Sequence, residues 1–384
     1  ELVFSQNTDL DENRLLTPPV SFIMGVSQPA DRHSHLVLEE SEPQFAPTSH
    51  FAVLTDLDGT ALPRPYGSPA IHPPVQDGPV FAPLVRLLEG GATIIGVTGS
   101  AISSHQSRFF DPLPLEARRS GRVLLAVETG RRLFVGSSKT GEPIEDLHFA
   151  AELAEKVPLF TATIVDQLVA CGRAGIRKFL VDLRKNPALI ADDSPLVFMR
   201  DRITMADALD DAIPINPADG FCPRIEIRPG GAVVFVGVPS TLGASYFHIS
   251  DELQGAVDGR PTGRMCFDCV PRGLDKSLVV AYLLQREVMK RNRGMALGDQ
   301  PSGNDEGLTR WHEGGIPFVA VAERAAMVPD NLRTTHVTAL SNEHASAAVL
   351  DSLATWLEKH GSEHAFGVEE AETLVAEVNE GRRG

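Results

Sequence analysis

Residues 51–60 read Phe-Ala-Val-Leu-Thr-Asp-Leu-Asp-Gly-Thr, and this stretch decides the fold. The apolar run at 51–55 predicts a short strand that is buried on both faces. Asp56 to Thr60 follow at once, so the chain leaves the strand through a polar loop with two carboxylates and a glycine. In open α/β sheets, ligands bind beyond the carboxyl ends of the strands. The loop after residue 55 is therefore a candidate binding site.

The same pattern returns twice in the next 80 residues. Residues 92–97 form a second apolar run, which ends at Thr98-Gly99-Ser100, and residues 123–127 form a third, which ends at Glu128. A helical pattern at 81–88 lies between the first two runs. Strands that alternate with helices in this way predict an α/β fold, a Rossmann-like parallel sheet with helices on both faces. The polar residues that end these strands would then meet at one edge of the sheet.

The middle of the chain differs from its surroundings. A helix predicted at 147–171 leads into alternating segments that predict a mostly antiparallel sheet with helices on one side. We predict strands there at Lys178–Arg184, Leu196–Ile203, Arg224–Arg228 and Ala232–Val238. The parallel pattern is expected to resume with a strand at Met265–Val270.

The length of 384 residues exceeds one average domain and fits a large domain with an insertion. We predict four parts: an N-terminal extension (1–50), a core in two pieces (51–139 and 263–366), an inserted α+β cap domain (140–262) and an acidic C-terminal tail helix (367–384).

Charge and hydropathy exclude some partners. The net charge is −16, whereas a protein that binds duplex nucleic acid needs a basic face, so nucleic acid is not expected. No apolar run approaches the length of a bilayer, so a membrane is not expected either. We expect a cytoplasmic location, although the chain begins at Glu1 and a removed targeting peptide stays possible. The sequence does not determine the oligomeric state.

Two of the four cysteines, Cys266 and Cys269, form a C-x-x-C pair. A zinc ribbon needs a second such pair, which the sequence lacks. The pair also falls in a predicted strand, where residues three apart point to opposite faces. We therefore predict reduced thiols inside a core rather than a metal site.

Four motifs, in this order along the chain, resemble those of the haloacid dehalogenase-like hydrolases. Asp56-x-Asp58-Gly59-Thr60 resembles the first motif, and Thr98 at the end of the second strand resembles the second. Lys276 at the start of a helix resembles the third, and Gly298-Asp299 with Asn304-Asp305 resembles the fourth. The resemblance covers residues 51–360, which is nearly the whole chain.

This resemblance implies a magnesium-dependent phosphatase that acts through an aspartyl-phosphate. Asp56 would be the nucleophile, and Asp58 would protonate the leaving alcohol and later accept a proton from water. To act as an acid, Asp58 must begin protonated, so we expect its surroundings to raise its pKa. Candidates for phosphate binding are Thr98, Gly99 and Lys276. Candidates for Mg²⁺ ligands are Asp56, the Asp58 backbone carbonyl, Asp299 and Asp305.

The fourth motif departs from the family pattern. Relatives place two residues between the first Asp and the Asn-Asp pair, whereas four separate Asp299 from Asn304 here. The longer loop leaves open that Asn304 and Asp305 are displaced, with Asp305 acting on the metal only through water.

The insertion lies between the second and third motifs, where the family places its larger α/β cap. Relatives with this cap include sugar- and polyol-phosphate phosphatases, mannitol-1-phosphatases among them, and phosphomannomutases. The expected substrate is therefore a small phosphorylated sugar or polyol, such as a hexitol 1-phosphate. Candidates for its recognition are Glu128, Arg224, Glu226 and Arg228. The three in the cap alternate with isoleucines, which favours a solvated face over a face toward the substrate, because a half-buried sheet normally has one face in water.

Other classes stay open. A phosphosugar mutase of the phosphomannomutase type uses the same first motif and cap, and differs in which hydroxyl accepts the phosphoryl group. A regulatory domain that has lost catalysis is opposed by the intact motifs. A nucleotide-binding dehydrogenase is opposed by the lack of G-x-G-x-x-G after the first strand.

Overall fold

A computed structural model of the chain describes residues 51–63, 73–190, 213–216, 223–263 and 265–381, together with Phe45, Val197 and Arg200. The predicted N-terminal extension lies outside the described residues except for Phe45. Of the strand predicted at Leu196–Ile203, only Val197 and Arg200 are described, and both are helical, so the prediction is wrong at these two residues.

Two sheets organise the described chain. The larger contains β1 (Ala52–Asp56), β2 (Thr93–Val97), β3 (Val123–Val127), β4 (Arg132–Gly136), β5 (Pro143–Glu145), β10 (Gly294–Gly298) and β11 (Phe318–Ala320). Its order is β11-β10-β1-β2-β3-β4-β5. The first five strands of this order pair in parallel, and β4 and β5 add an antiparallel edge. The predicted α/β fold with a parallel core sheet is confirmed.

The smaller sheet is antiparallel. It contains β6 (Arg224–Ile227), β7 (Val233–Val236), β8 (Val257–Thr262) and β9 (Cys266–Pro271), in the order β6-β7-β9-β8. The turn between β6 and β7 contains Gly231 at a φ of 89°, a backbone conformation that glycine adopts without steric cost.

Helices cover both sheets. Their bounds are α1 (Phe81–Glu89), α2 (Ile102–His105), α3 (Leu115–Arg119), α4 (Leu147–Lys156), α5 (Ala162–Lys185), α6 (Gly243–Tyr246), α7 (Asp251–Gln254), α8 (Ser277–Gln285), α9 (Glu306–Thr309), α10 (Asn342–His360) and α11 (Val368–Asn379). A π-helical turn, Gln106–Phe110, follows α2 directly.

The alternation of side chains along β1 shows how the layers form. Val53 faces a core that α1, α10 and α11 complete, whereas Ala52 and Leu54 face a second core that α4 and α8 complete. Successive residues of a strand point to opposite faces, so a strand between two helical layers is apolar throughout. A third core joins α5 to the smaller sheet, with Phe179 and Phe235 among its residues.

Two further strand predictions are wrong. The strand at 266–271 does not resume the parallel sheet, because β9 pairs antiparallel with β7 and β8. The segment Lys178–Arg184 is not a strand but the end of α5, whose buried residues Leu168, Ile176 and Leu183 recur at helical spacing. A short apolar run does not by itself show which sheet a strand joins. The four-part division of the chain stays a prediction.

One helix prediction also differs from the structure. The helix predicted at 147–171 is interrupted between α4 and α5, next to Pro158. The helix that follows Lys276, α8, ends at Gln285. At the edge of the larger sheet, Ala320 of β11 forms a bridge with His336.

A buried hydrogen bond between Tyr282 and Asp146 ties α8 to α4. The fully buried Asp146 carboxylate accepts the Tyr282 hydroxyl at 2.7 Å and two backbone N–H groups at the start of α4. Tyr282→Phe should lower the free energy of unfolding by about 1–3 kcal/mol, because it leaves a buried carboxylate oxygen without its partner. Urea unfolding measures this change.

The matched control is Tyr246→Phe. Tyr246 also donates to a carboxylate, Asp182 Oδ2, but at 3.3 Å and in a partly buried place where water can replace it. Loss of the Tyr246 hydroxyl should lower the free energy of unfolding by less than loss of the Tyr282 hydroxyl does. Equal losses in the two variants would contradict the role given to the buried bond.

A buried histidine should make stability depend on pH. His312 is 4% exposed, and its Nδ1 accepts the Phe318 backbone N–H at 3.0 Å, so the ring is neutral there. Burial lowers the pKa of His312 below its ordinary value. The unfolded chain therefore binds the proton more readily, and stability should fall as the pH drops below about 6.5.

His312→Asn tests this, because its amide oxygen can accept from Phe318 without titrating. We expect the variant to lose less stability than the wild type between pH 7.5 and pH 5.5, measured by urea unfolding at each pH. Parallel curves for the two proteins would show that His312 does not contribute to the pH dependence.

Candidate active site

The carboxyl ends of β1, β2 and β10 bring the first, second and fourth motifs together. Asp56 ends β1 and pairs in register with Val97, so Thr98 lies at the neighbouring strand end. Thr55 pairs with Leu297 on the other side, so Asp299 follows on that side. The chain runs from β1 to β2 in one direction and returns to β10 in the other, and this reversal opens the crevice where α/β sheets bind ligands.

Lys276 lies between two carboxylates at this edge. Its fully buried Nζ donates to Asp56 Oδ1 at 2.5 Å and to Asp305 Oδ1 at 2.7 Å. Burial alone would lower the Lys276 pKa, but the charges of Asp305 and Asp56 outweigh it and raise the pKa above its ordinary value. Lys276 is therefore a permanent positive charge in contact with the candidate nucleophile.

The carboxylates of Asp56, Asp299 and Asp305 form one buried cluster. Each offers an oxygen, and these three oxygens lie within 4.8 Å of one another. Lys276 contacts two of these three carboxylates, those of Asp56 and Asp305. Crowded buried carboxylates are costly unless cations compensate their charge. Oxygen ligands in this number suit Mg²⁺, so the residues fit the expected metal.

The long loop of the fourth motif does not displace Asp305. The loop turns back so that Asp305 Oδ2 accepts the Gln300 backbone N–H at 2.9 Å, while Oδ1 reaches Lys276. The carboxylate lies against Gly298, where a Cβ would collide with it. The two additional residues are therefore taken up within the loop itself.

The electrostatics of Asp56 follow from this crowding. Burial and the charge of Asp305 raise the pKa of Asp56, Lys276 partly opposes them, and the result is about 6. Thr60 adds a weak hydrogen bond from its hydroxyl to Asp56 Oδ2 at 3.3 Å.

Asp58 differs from the expectation. Its two carboxylate oxygens are held separately, Oδ2 by His105 Nε2 at 2.9 Å and Oδ1 by Arg108 Nη1 at 3.2 Å. Burial would raise the pKa of Asp58, but the nearby His105 and Arg108 outweigh it and lower the pKa below its ordinary value. The predicted rise in the pKa of Asp58 is therefore wrong for this structure.

The loop after β2 lies under polar groups from three other elements. Thr98 Oγ1 accepts the Ser100 backbone N–H at 3.1 Å. A Cβ on Gly99 would be 3.7 Å from Asn304 Nδ2 and 3.8 Å from both Asp268 Oδ2 and Thr129 Oγ1. Gly99 thus sits where β9, the loop after β3 and the fourth motif converge.

The charged face of β6 points toward this loop. Glu226 pairs in register with Val234, and Val234 packs in the core that the larger sheet shares, so this face turns toward the larger sheet. Glu226 binds Arg224 at 2.5 Å and Arg228 at 3.0 Å. Arg228 also donates to the Gly99 carbonyl oxygen. The side chain of Arg228 is only 13% exposed, so the interpretation of this face of β6 as solvated is wrong at Arg228.

Glu128, which follows β3 of the larger sheet, binds the turn between β6 and β7. It is buried, with a φ of 55°, and its Oε2 accepts the Gly230 backbone N–H. A Cβ on Gly230 would collide with that carboxylate, so the hairpin needs a glycine there to approach so closely. One oxygen of Glu128 is thus occupied by the hairpin.

Sequence reasoning missed His105 and Arg108. They follow the second motif and are three residues apart on a helical segment, so they share one face. The sequence shows this spacing, but nothing in the spacing indicates that the shared face contacts Asp58. Cys266 and Cys269 lie on opposite faces of β9, in separate cores, as predicted.

None of the helices within the described residues is both long and apolar enough to cross a bilayer. No family model matches the chain, and no curated protein matches it.

Solved structures do resemble it. A sucrose-phosphatase from Synechocystis, solved with sucrose and phosphate, is 16% identical over 80% of this chain and 98% of that chain, with a TM-score of 0.42. A Plasmodium falciparum IMP-nucleotidase with bound IMP is 14% identical over 75% of this chain, with a TM-score of 0.41. This chain spans 66% of the nucleotidase, just under two thirds. A haloacid dehalogenase-like hydrolase from Bacteroides thetaiotaomicron is 16% identical over 82% and 99% of the two chains, with a TM-score of 0.40. Likeness of this degree identifies no substrate for this chain.

Proposed function

We propose that this protein is a magnesium-dependent phosphatase that hydrolyses small phosphate monoesters through an aspartyl-phosphate on Asp56. The observation that carries the proposal is the buried cluster in which Lys276 contacts Asp56 and Asp305 while Asp299 lies beside them. A carboxylate nucleophile, a fixed cation and further carboxylates for a metal are the groups that phosphoryl transfer to a carboxylate requires.

In the first step, a carboxylate oxygen of Asp56 forms a bond to phosphorus while the bond from phosphorus to the leaving oxygen breaks. Asp58 supplies the proton that the leaving oxygen takes up, so Asp58 must bind a proton before this step although His105 and Arg108 favour its ionised form. In the second step, water attacks phosphorus, the bond to Asp56 breaks and inorganic phosphate leaves. Asp58 takes the proton of that water, which restores the starting state. Lys276 and Thr98 bind the phosphoryl oxygens in both steps.

The metal would be held by Asp56, the Asp58 backbone carbonyl, Asp299 and Asp305. When bound, Mg²⁺ would compensate negative charge on these carboxylates and reduce the repulsion between Asp56 and the phosphate dianion. Lys276 already contacts the carboxylates of Asp56 and Asp305. The ammonium of Lys276 and the metal would therefore each compensate part of the negative charge of these carboxylates.

The substrate part of the proposal is a sugar or polyol phosphate, for example a hexitol 1-phosphate. We infer that the smaller sheet and its helices form a cap, because Arg228 reaches the Gly99 carbonyl next to Thr98. Glu226 and Arg224 extend this polar surface, and the buried strand-end Glu128 holds the hairpin that carries it. A polar surface favours a leaving group rich in hydroxyls over an apolar one. The cytoplasmic location stays a prediction.

A phosphate-release screen with Mg²⁺ tests the function. Sugar, polyol, carboxylic-acid and nucleoside monophosphates are compared at equal concentration, with EDTA and Asp56→Asn as controls. We expect release that needs the metal and Asp56, and is highest for a sugar or polyol ester. No release from any ester would reject the proposal. Isomerisation that depends on a sugar bisphosphate, without net release, would instead identify a mutase.

A further inference from the structure

One turn of the chain binds both oxygens of the Asp58 carboxylate. His105 Nε2 lies 2.9 Å from Oδ2, and Arg108 Nη1 lies 3.2 Å from Oδ1. A carboxylate held at one oxygen can still rotate about its Cβ–Cγ bond. A carboxylate held at both oxygens by different residues has its plane fixed as well as its position.

The turn that carries these two residues is itself firmly anchored. His105 ends α2, and Arg108 belongs to the π-helical turn Gln106–Phe110. Phe109 and Phe110 of this turn are fully buried. Phe109 lies so close to Gly96 of β2 that a Cβ there would come within 2.6 Å of its ring. Single π-helical turns are frequent at functional sites.

A purely structural role explains these side chains poorly. His105 is 1% exposed, yet within the described part of the chain its Nδ1 has no hydrogen-bond partner. The buried Nε and Nη2 of Arg108 likewise have none among the described residues. Each buried group left in this way costs about 1–3 kcal/mol. The side-chain contacts that both residues do make are those with the Asp58 carboxylate.

We propose that His105 and Arg108 are positioning residues, which hold the Asp58 carboxylate in the orientation needed to exchange a proton with the leaving oxygen and the attacking water. The inference rests on the proposed phosphatase function. It assigns the two residues a role that acts through Asp58 and not through binding of the substrate.

Three kinetic results distinguish positioning from structural support. With the best substrate of the screen, His105→Ala and Arg108→Ala should each lower kcat by about 10- to 100-fold, because a misplacement of about 1 Å costs up to that much. KM should change little. His105→Gln and Arg108→Lys, which keep a donor to Asp58, should recover part of kcat.

The decisive measurement is a double-mutant cycle with Asp58→Asn. If His105 acts through Asp58, the double variant His105→Ala with Asp58→Asn should be no slower than Asp58→Asn alone. 4-Nitrophenyl phosphate gives a second readout, because its leaving group needs no proton. Loss of His105 should slow the first step, measured as the burst of 4-nitrophenolate, much less than it slows the first step with an alkyl phosphate.

His336→Ala is the matched control, since His336 is also buried and its Nε2 contacts the Ala322 carbonyl, away from the cluster. Circular dichroism and thermal unfolding establish that each variant is folded, and His105→Gln replaces His105→Ala if the latter is not.

Additive losses in the cycle, or equal losses in the first step with both types of leaving group, would overturn the positioning role alone. A wild type that releases no phosphate from any ester would overturn both this role and the proposed function.

Discussion

Asp56→Asn should lower kcat by roughly 10⁴-fold or more, as removal of a catalytic nucleophile does. The amide is isosteric with the carboxylate, and its oxygen can still accept from Lys276, so the fold should persist. The change also removes one of three crowded buried carboxylates, which raises rather than lowers the stability of the metal-free protein. Phosphate release measures the first effect, and thermal unfolding in EDTA measures the second.

Asp351→Asn is a suitable control, because Asp351 pairs with Arg86 on the surface of the protein and takes no part in the site. Its activity should equal that of the wild type. Near-normal turnover in Asp56→Asn would remove Asp56 as the nucleophile, since an amide does not form the covalent intermediate.

Lys276→Met should abolish turnover and also destabilise the protein. It removes a fully buried ammonium and leaves Asp56 and Asp305 facing each other without compensation. Breaking a buried ion pair on one side costs about 3–5 kcal/mol. Urea unfolding in EDTA should show a loss of this size.

Magnesium should act more strongly on this variant than on the wild type. Removal of Lys276 takes one positive charge away from Asp56 and Asp305, so a divalent cation should raise the melting temperature further than it does in the wild type. Adding Asp305→Asn to Lys276→Met should restore part of the lost stability. If the single and double variants unfold alike, repulsion between the two carboxylates is not the cause of the instability.

The convergence of the site could be predicted because of how a parallel sheet is built. Asp56, Thr98 and Asp299 each follow a short apolar run, and the carboxyl ends of parallel strands lie at one edge. The position of Lys276 followed from the resemblance of its motif. Its contact with both Asp56 and Asp305 needed coordinates, because it depends on how the fourth-motif loop turns back.

The smaller sheet was harder to predict. The segment 266–271 has the apolar character of a core strand, and its antiparallel pairing with β7 depends on residues far away in the chain. In α5, Phe179 and Leu180 read locally as part of a strand, but the helix extends over 24 residues and buries them against the sheet. Tertiary packing outweighs local preference in both places.

The partners of Asp58 illustrate a different limit. A carboxylate beside a nucleophile is expected to be a proton donor, which led to the prediction of a raised pKa. Its two partners, His105 and Arg108, come from a turn 47 to 50 residues further along the chain, and their effect on the pKa exceeds that of burial. Such a balance depends on distances of a few ångströms and is not encoded in a motif.

Both outer strands of the larger sheet, β5 and β11, are only three residues long. β5 begins with Pro143, which has no N–H to offer, and the bridge from His336 covers the end of β11. An open sheet border with long rows of unpaired N–H and C=O groups is a template for strands from other molecules, and proteins that stay dispersed shorten or cover it. The seven-stranded sheet therefore offers little on which a fibril or an intermolecular sheet could grow.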